Sequence, residues 1–120
     1  RATARAQRSD GALPGQLSRD WQPIKPWTCV TGNSQMSINW QRLARIAGDT
    51  GFLENAVRAN RFNMGIQDLV ADDGAIRGAL KGSHPINGGY MTWRYPNWAA
   101  KFFMDALMLE LLGDRVDNIG

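Results

Sequence analysis

"KPWTCVTGNSQMSINWQRLARIAGD", Lys25–Asp49, sets a Pro-Trp pair and the chain's one cysteine ahead of a Thr-Gly-Asn that opens a helical pattern. From Asn33, the residues Met36, Trp40, Leu43, Ala44 and Ala47 follow helical spacing and predict one apolar face. Asn33 stands where an N-cap belongs, its side-chain oxygen free to accept from the first turn. Gly48 supplies the left-handed residue that ends a helix. Thr50 then caps the next helix, which runs through Phe52, Leu53, Ala56, Val57 and Asn60 towards Leu69. So short a connection predicts an antiparallel helical hairpin.

The same order of features returns downstream. "GALPG" at Gly11–Gly15 is echoed by "GAIRG" at Gly74–Gly78 and by "GALKG" at Gly78–Gly82, and a glutamine, Gln7 or Gln67, precedes each Gly-rich loop. Asn97 opens a second helical pattern, Asn97–Leu112, that ends in Gly113–Asp114 as the first ends in Gly48–Asp49. This predicts two hairpin-like repeats of about 64 residues, with 67 as the alternative register. The last helix is apolar nearly all round, so it needs cover on several sides. That implies the remainder of a longer chain or a homo-oligomer. Arg1–Ser9 reads as the end of a helix, which also points to a segment of something longer. Little reads as strand, "WTCV" being too short to carry a sheet.

Composition narrows the function classes. A 120-residue chain that is 43% apolar supports one domain with a core, spanning 1–120. One cysteine and one histidine cannot make an internal disulfide or a His/Cys metal site, so no metal and no cofactor are expected. The longest apolar run, within Ala99–Leu112, is broken by Lys101, Asp105 and Glu110, so no membrane span is expected. Net charge is +3, but the basic residues are scattered and no nucleic-acid motif is present, so no nucleic-acid partner is expected.

The phrases "QRSDGALPG…W", "PWTCVTGNSQM", "GAIRGALKGS" and "YPNWAAKFFMDALMLE" resemble a helical-toroid domain of bacterial proteins of polysaccharide metabolism. The resemblance spans nearly the whole chain. It implies an all-α fold of antiparallel hairpins of an (α/α)-toroid type, with long Gly- and aromatic-rich loops forming a carbohydrate cleft at one end. "Q-x-x-D-G" at Gln7–Gly11 is also similar to the repeat of terpenoid-cyclase toroids, whose acidic DxDD cluster is nowhere in this chain. Lanthionine-cyclase-like toroids need Cys/His zinc ligands that this chain cannot assemble.

The candidate site residues lie in the loops. Trp21, Trp27, Tyr90, Trp93 and Tyr95 offer flat rings that stack on sugars, or that seal the loops against the helix ends. Asn33, Lys81 and Asn97 complete the expected substrate-binding set with Trp27, Tyr90 and Trp93. The segment Lys81–Trp98 also holds His84 and Arg94. Toroidal polysaccharide lyases, on the resemblance, pair an asparagine or arginine that neutralises a uronate with a tyrosine or histidine as base and acid. His84, Tyr90, Arg94 and Tyr95 are the catalytic candidates on that basis. Against it, His84 reads equally as a turn residue before Pro85. Hydrolysis would need two facing carboxylates, whereas Asp10, Asp72 and Asp73 read as turn residues. Cys29 is either a packing residue or, beside a base such as His84, a nucleophile. Carbohydrate recognition or processing is thus the leading expectation, with an acidic polysaccharide as ligand. The alternative is a non-catalytic assembly module that self-associates through its apolar helices.

Overall fold

The computed structural model describes residues 1–113. They form a helix-rich fold with two small antiparallel sheets. In chain order the elements are α1 (Ala2–Ala6), β1 (Gln16–Leu17), β2 (Pro23–Lys25), β3 (Thr28–Cys29), α2 (Val30–Ala47), α3 (Gly51–Ile66), β4 (Ser83–His84) and α4 (Asn97–Leu112). Strands of two or three residues leave no periodic signal, which is why the sequence reads as helical throughout. β1 pairs with β2, and β3 with β4 in the register Thr28–His84 and Cys29–Ser83.

Asn33 and Asn97, each expected from its place before a helical pattern to be an N-cap, are both corrected. α2 begins three residues before Asn33: the thiol of Cys29 accepts from the Gly32 amide at 3.3 Å, and the Val30 amide donates to Gly82 O. Strand pairing fixes the chain up to Cys29, so the helix starts where the ribbon ends. Asn97 is likewise the first helical residue, and the cap position belongs to the extended Pro96. The hairpin turn follows the expected positions with different chemistry. Gly48 is left-handed (φ 64°, ψ 23°) and closes α2, but Asp49 rather than Thr50 accepts from the Gly51 amide. α3 stops at Ile66, short of Leu69, because Gln67 turns to extended backbone. Asp114, the second half of the later Gly-Asp pair, lies outside the described residues.

α2 is the central helix. One apolar cluster joins Leu13, Trp40, Ala44, Phe52, Ala56 and Ala59, and a second joins Val30, Leu80, Ala99 and Phe103. Between them runs a polar seam absent from the apolar-face reading. Asn33 Nδ2 donates to Ala59 O and to Asn63 Oδ1, and Asn63 Nδ2 donates to Ser34 Oγ at 2.7 Å. Gln41 Nε2 donates to Ser37 Oγ and to Ala106 O, and Ser37 Oγ donates to Ala56 O. Leu43 and Ala47, expected inside, are exposed, because these polar residues occupy the interface instead. Small or amide side chains let helices approach while satisfying one another, and each such group left unpaired would cost about 1–3 kcal/mol. The contacts also set direction. Val30 lies with Ala99 and Gln41 with Ala106, so α2 and α4 run parallel. Asn55 donates to Ala4 O and Arg58 to Arg8 O, so α1 and the residues after it run parallel to α3 in the neighbouring layer.

The two long loops share backbone geometry at one displacement, 67 residues. Gly15 N donates to Trp27 O and Gly82 N to Arg94 O; Trp21 N donates to Ser18 O and Gly88 N to Pro85 O. The left-handed Gly11 (φ 95°) corresponds to Gly78 (φ 81°), and the cap residue Cys29 to Pro96. Each loop opens on a glutamine in extended backbone whose amide donates to the carbonyl of that glycine, Gln7 to Gly11 and Gln67 to Gly78.

Candidate functional site

Because α2 and α4 run parallel, the loops that precede them gather at one end of the molecule. Trp27 is the hinge of that end. A Cβ on Gly15 would stand 2.3 Å from its ring and one on Gly89 2.8 Å away, so both loops close on the indole through glycines. Trp27 is therefore half-buried and seals the loops together.

Past Trp27 the second loop turns back on itself. Ser83 Oγ donates to Tyr90 O and accepts from the Tyr90 amide, and Thr92 Oγ1 donates to Gly88 O. Met91 (φ 45°) and Trp93 (φ 61°) are left-handed, an arrangement that costs a non-glycine residue about 1–2 kcal/mol. The turn is held by Trp93 N donating to Ile86 O and Arg94 N to Met91 O. As a result Trp93 is 69% exposed, with Arg94 and Tyr95 exposed beside it in sequence. Trp98, in the first turn of α4, donates from Nε1 to the Tyr90 hydroxyl at 2.9 Å. On the first loop Trp21 is the third left-handed non-glycine residue (φ 64°) and is 52% exposed.

His84 lies on the other side of this turn. Its ring meets Phe62 edge-on at 5.6 Å, and its Nδ1 is buried without a hydrogen-bond partner, as is Oγ1 of Thr28 opposite it in the β3–β4 ribbon. Burial, then the positive charges of Lys81 and Arg8, push the His84 pKa below its ordinary 6.5, with Asp10 opposing them. The imidazole is thus neutral at neutral pH. Asp10 is itself held below the usual carboxylate range, chiefly by its hydrogen bond from Arg8, at 2.7 Å from Nη2.

The candidate residues therefore separate. Tyr90, Trp93, Arg94, Tyr95 and Asn97 stay together around the start of α4, with Asn97 exposed. Lys81 and His84 sit at β4, half-buried. Asn33 is 1% exposed, its carbonyl accepting from the Leu13 amide and its amide donating twice, so it has nothing to offer a ligand. A Cys29–His84 pair is ruled out by register: Cys29 faces Ser83, and successive strand residues point to opposite sides of a ribbon. Burial also raises the Cys29 pKa, keeping it a thiol.

Two residues outside the expected site set act on these loops. Trp98 reads in sequence as part of a helix face, and Arg8 as part of a helix end. The signal for Trp98 is its place directly after Pro96-Asn97, where a first-turn side chain reaches the preceding loop. Arg8 carries no such signal, since its bond to Pro26 O spans the whole first loop. Among the described residues no group of three His, Cys, Asp or Glu side chains could hold a metal ion, and no helix is long and apolar enough to cross a membrane. Compared with family models, curated proteins and solved structures, the chain gives no match.

Proposed function

We propose that the loop end of this protein recognises or processes a carbohydrate, an acidic polysaccharide by class, and that its helices are units of an (α/α) toroid. The observation that carries the binding reading is the state of Trp21 and Trp93. Each leaves a large ring in solvent on left-handed backbone, one in each long loop. Stability alone favours neither feature. Strained residues that expose aromatic rings cluster where ligands bind, and flat rings stack on the apolar faces of sugars. Arg94 and Lys81 on the same end supply the positive charge that a uronate carboxylate needs. The toroid reading draws on the parallel α1–α3 and α2–α4 layers and on the 67-residue recurrence of the loop bonds.

The test is a titration with neutral and uronate-containing oligosaccharides, followed by tryptophan fluorescence and by the ultraviolet absorbance of an unsaturated product. A saturable fluorescence change with uronates, lost in Trp93→Gly, is the expected result. Growth of the absorbance would add lyase chemistry, with His84, Tyr90, Arg94 and Tyr95 as the residues to vary. A folded protein silent towards every sugar overturns the proposal.

A further inference from the structure

At one end of the molecule α3 and α4 each leave apolar side chains in solvent, interspersed with the exposed charges Glu54, Arg61 and Lys101. α3 exposes Leu53 and Met64 with Val57 half-buried between them, on the side opposite Asn55, which bonds α1. α4 exposes Met104 (60%), Met108 and Leu111 (82%). A cavity of about 450 Å³ opens here, lined by Leu53, Val57 and Leu109 together with the polar Gln41, Arg45 and Glu110. A stacked-helix protein with an end of this kind has an unfilled neighbour position, since terminal units need a polar outer face.

The intrachain junction shows what fits there. Advancing α2 by the 67 residues that relate the loops places Gln41 on Met108 and Ile38 on Asp105; taking α4 back by 67 places Ala106 on Asn39 and Phe103 on Met36. Gln41 is buried against Ala106 within the chain. Its counterpart Met108 is exposed, and so is Asn39, the counterpart of Ala106. Among the described residues, the two uncovered faces thus occupy the positions of the two halves of the internal junction. Arg42 and Asp105 flank the same recess between α2 and α4, and the repeated junction would again bring an Arg42 towards an Asp105.

We infer that the α3–α4 end docks the α1–α2 end of a second copy of this chain, head to tail, in the geometry of the internal α2–α4 contact. Such an interface is heterologous: each copy keeps one free socket and one free plug. The loop ends of successive copies would then lie side by side.

The experiment is sedimentation velocity over a concentration series on the wild-type chain, Met108→Glu and Asn39→Arg, with far-ultraviolet circular dichroism to establish folding. The wild type is expected to grow in mass with concentration. Each variant should lose self-association by at least about tenfold, as expected when a charge is placed in a desolvated contact. Mixed in equal amounts, the two variants should form a one-to-one complex through their intact ends. A monomeric wild type at every concentration overturns the proposal, as does a mixture that stays unassociated while the wild type assembles. If Met108→Glu fails to fold, Met104→Glu, at a more exposed position, replaces it in the same mixing test.

Discussion

Asn33 makes three side-chain hydrogen bonds inside the fold. Its oxygen accepts from Leu13 N and its amide reaches Ala59 O and Asn63 Oδ1, tying the first long loop to both helices of the hairpin. Replacing it by alanine strands those partners in the core, so Asn33→Ala should lose about 3 kcal/mol in urea unfolding. Trp93 is the opposite case. Glycine relieves its left-handed backbone, so Trp93→Gly should gain about 1 kcal/mol of stability while abolishing any sugar-dependent fluorescence change. His84 sets a pH dependence. Its folded pKa lies below the ordinary 6.5, so the unfolded chain binds the proton more readily. Well above pH 6.5 both states are neutral and the residue contributes no slope. As pH falls below that value the folded state loses stability, until the folded pKa is passed. Urea midpoints measured across this acid range should fall for the wild type and flatten for His84→Gln.

At the scale of elements, two left-handed glycines carry different loads. Gly48 ends α2 with no atom within 4 Å of where a Cβ would stand, so Gly48→Ala should cost only about 1 kcal/mol in thermal or urea unfolding. Gly11 turns the first loop against α3, where a Cβ would stand 2.1 Å from Arg58 O. Backbone cannot move aside as a flexible side chain can, so Gly11→Ala should cost roughly 3 kcal/mol or more. The contrast between the two variants checks that the loop is pressed onto α3. The hairpin turn and the last helix were legible from Gly48 and from the pattern Asn97–Leu112. The start of α2 was not, because the cap is set by a two-residue strand whose partner, Ser83–His84, lies far along the chain.

Across the whole molecule, the polar seam joins three helices through amides and hydroxyls. Gln41 reaches α4, Asn60 reaches both Ala106 O and Glu110, and Asn63 returns to α2. Such a network makes these helices protect one another, so hydrogen exchange should be slowest and of one stability in the middle of α2, α3 and α4. The exposed β1–β2 ribbon, with Pro23–Lys25 wholly at the surface, should exchange first. Separate protection levels for α2 and α4 would show that the seam does not bind them into one unit.

Glycines, prolines and helical spacing act over a few residues, and by themselves they determined the hairpin, the last helix and the loop punctuation, while the period they suggested was about 64 residues. The choice of the 67-residue register needed the paired loop bonds, since only folded backbone shows Gly15 to Trp27 repeated as Gly82 to Arg94. The inward face of α2 was also a tertiary decision. Ser34, Ser37 and Gln41 are poor core residues by hydropathy, and they become good ones only when neighbouring helices present carbonyls and amides to them. The same holds for the site. Sequence placed aromatic residues in loops, but burial and backbone strain decided that Trp27 seals the structure while Trp21 and Trp93 face solvent.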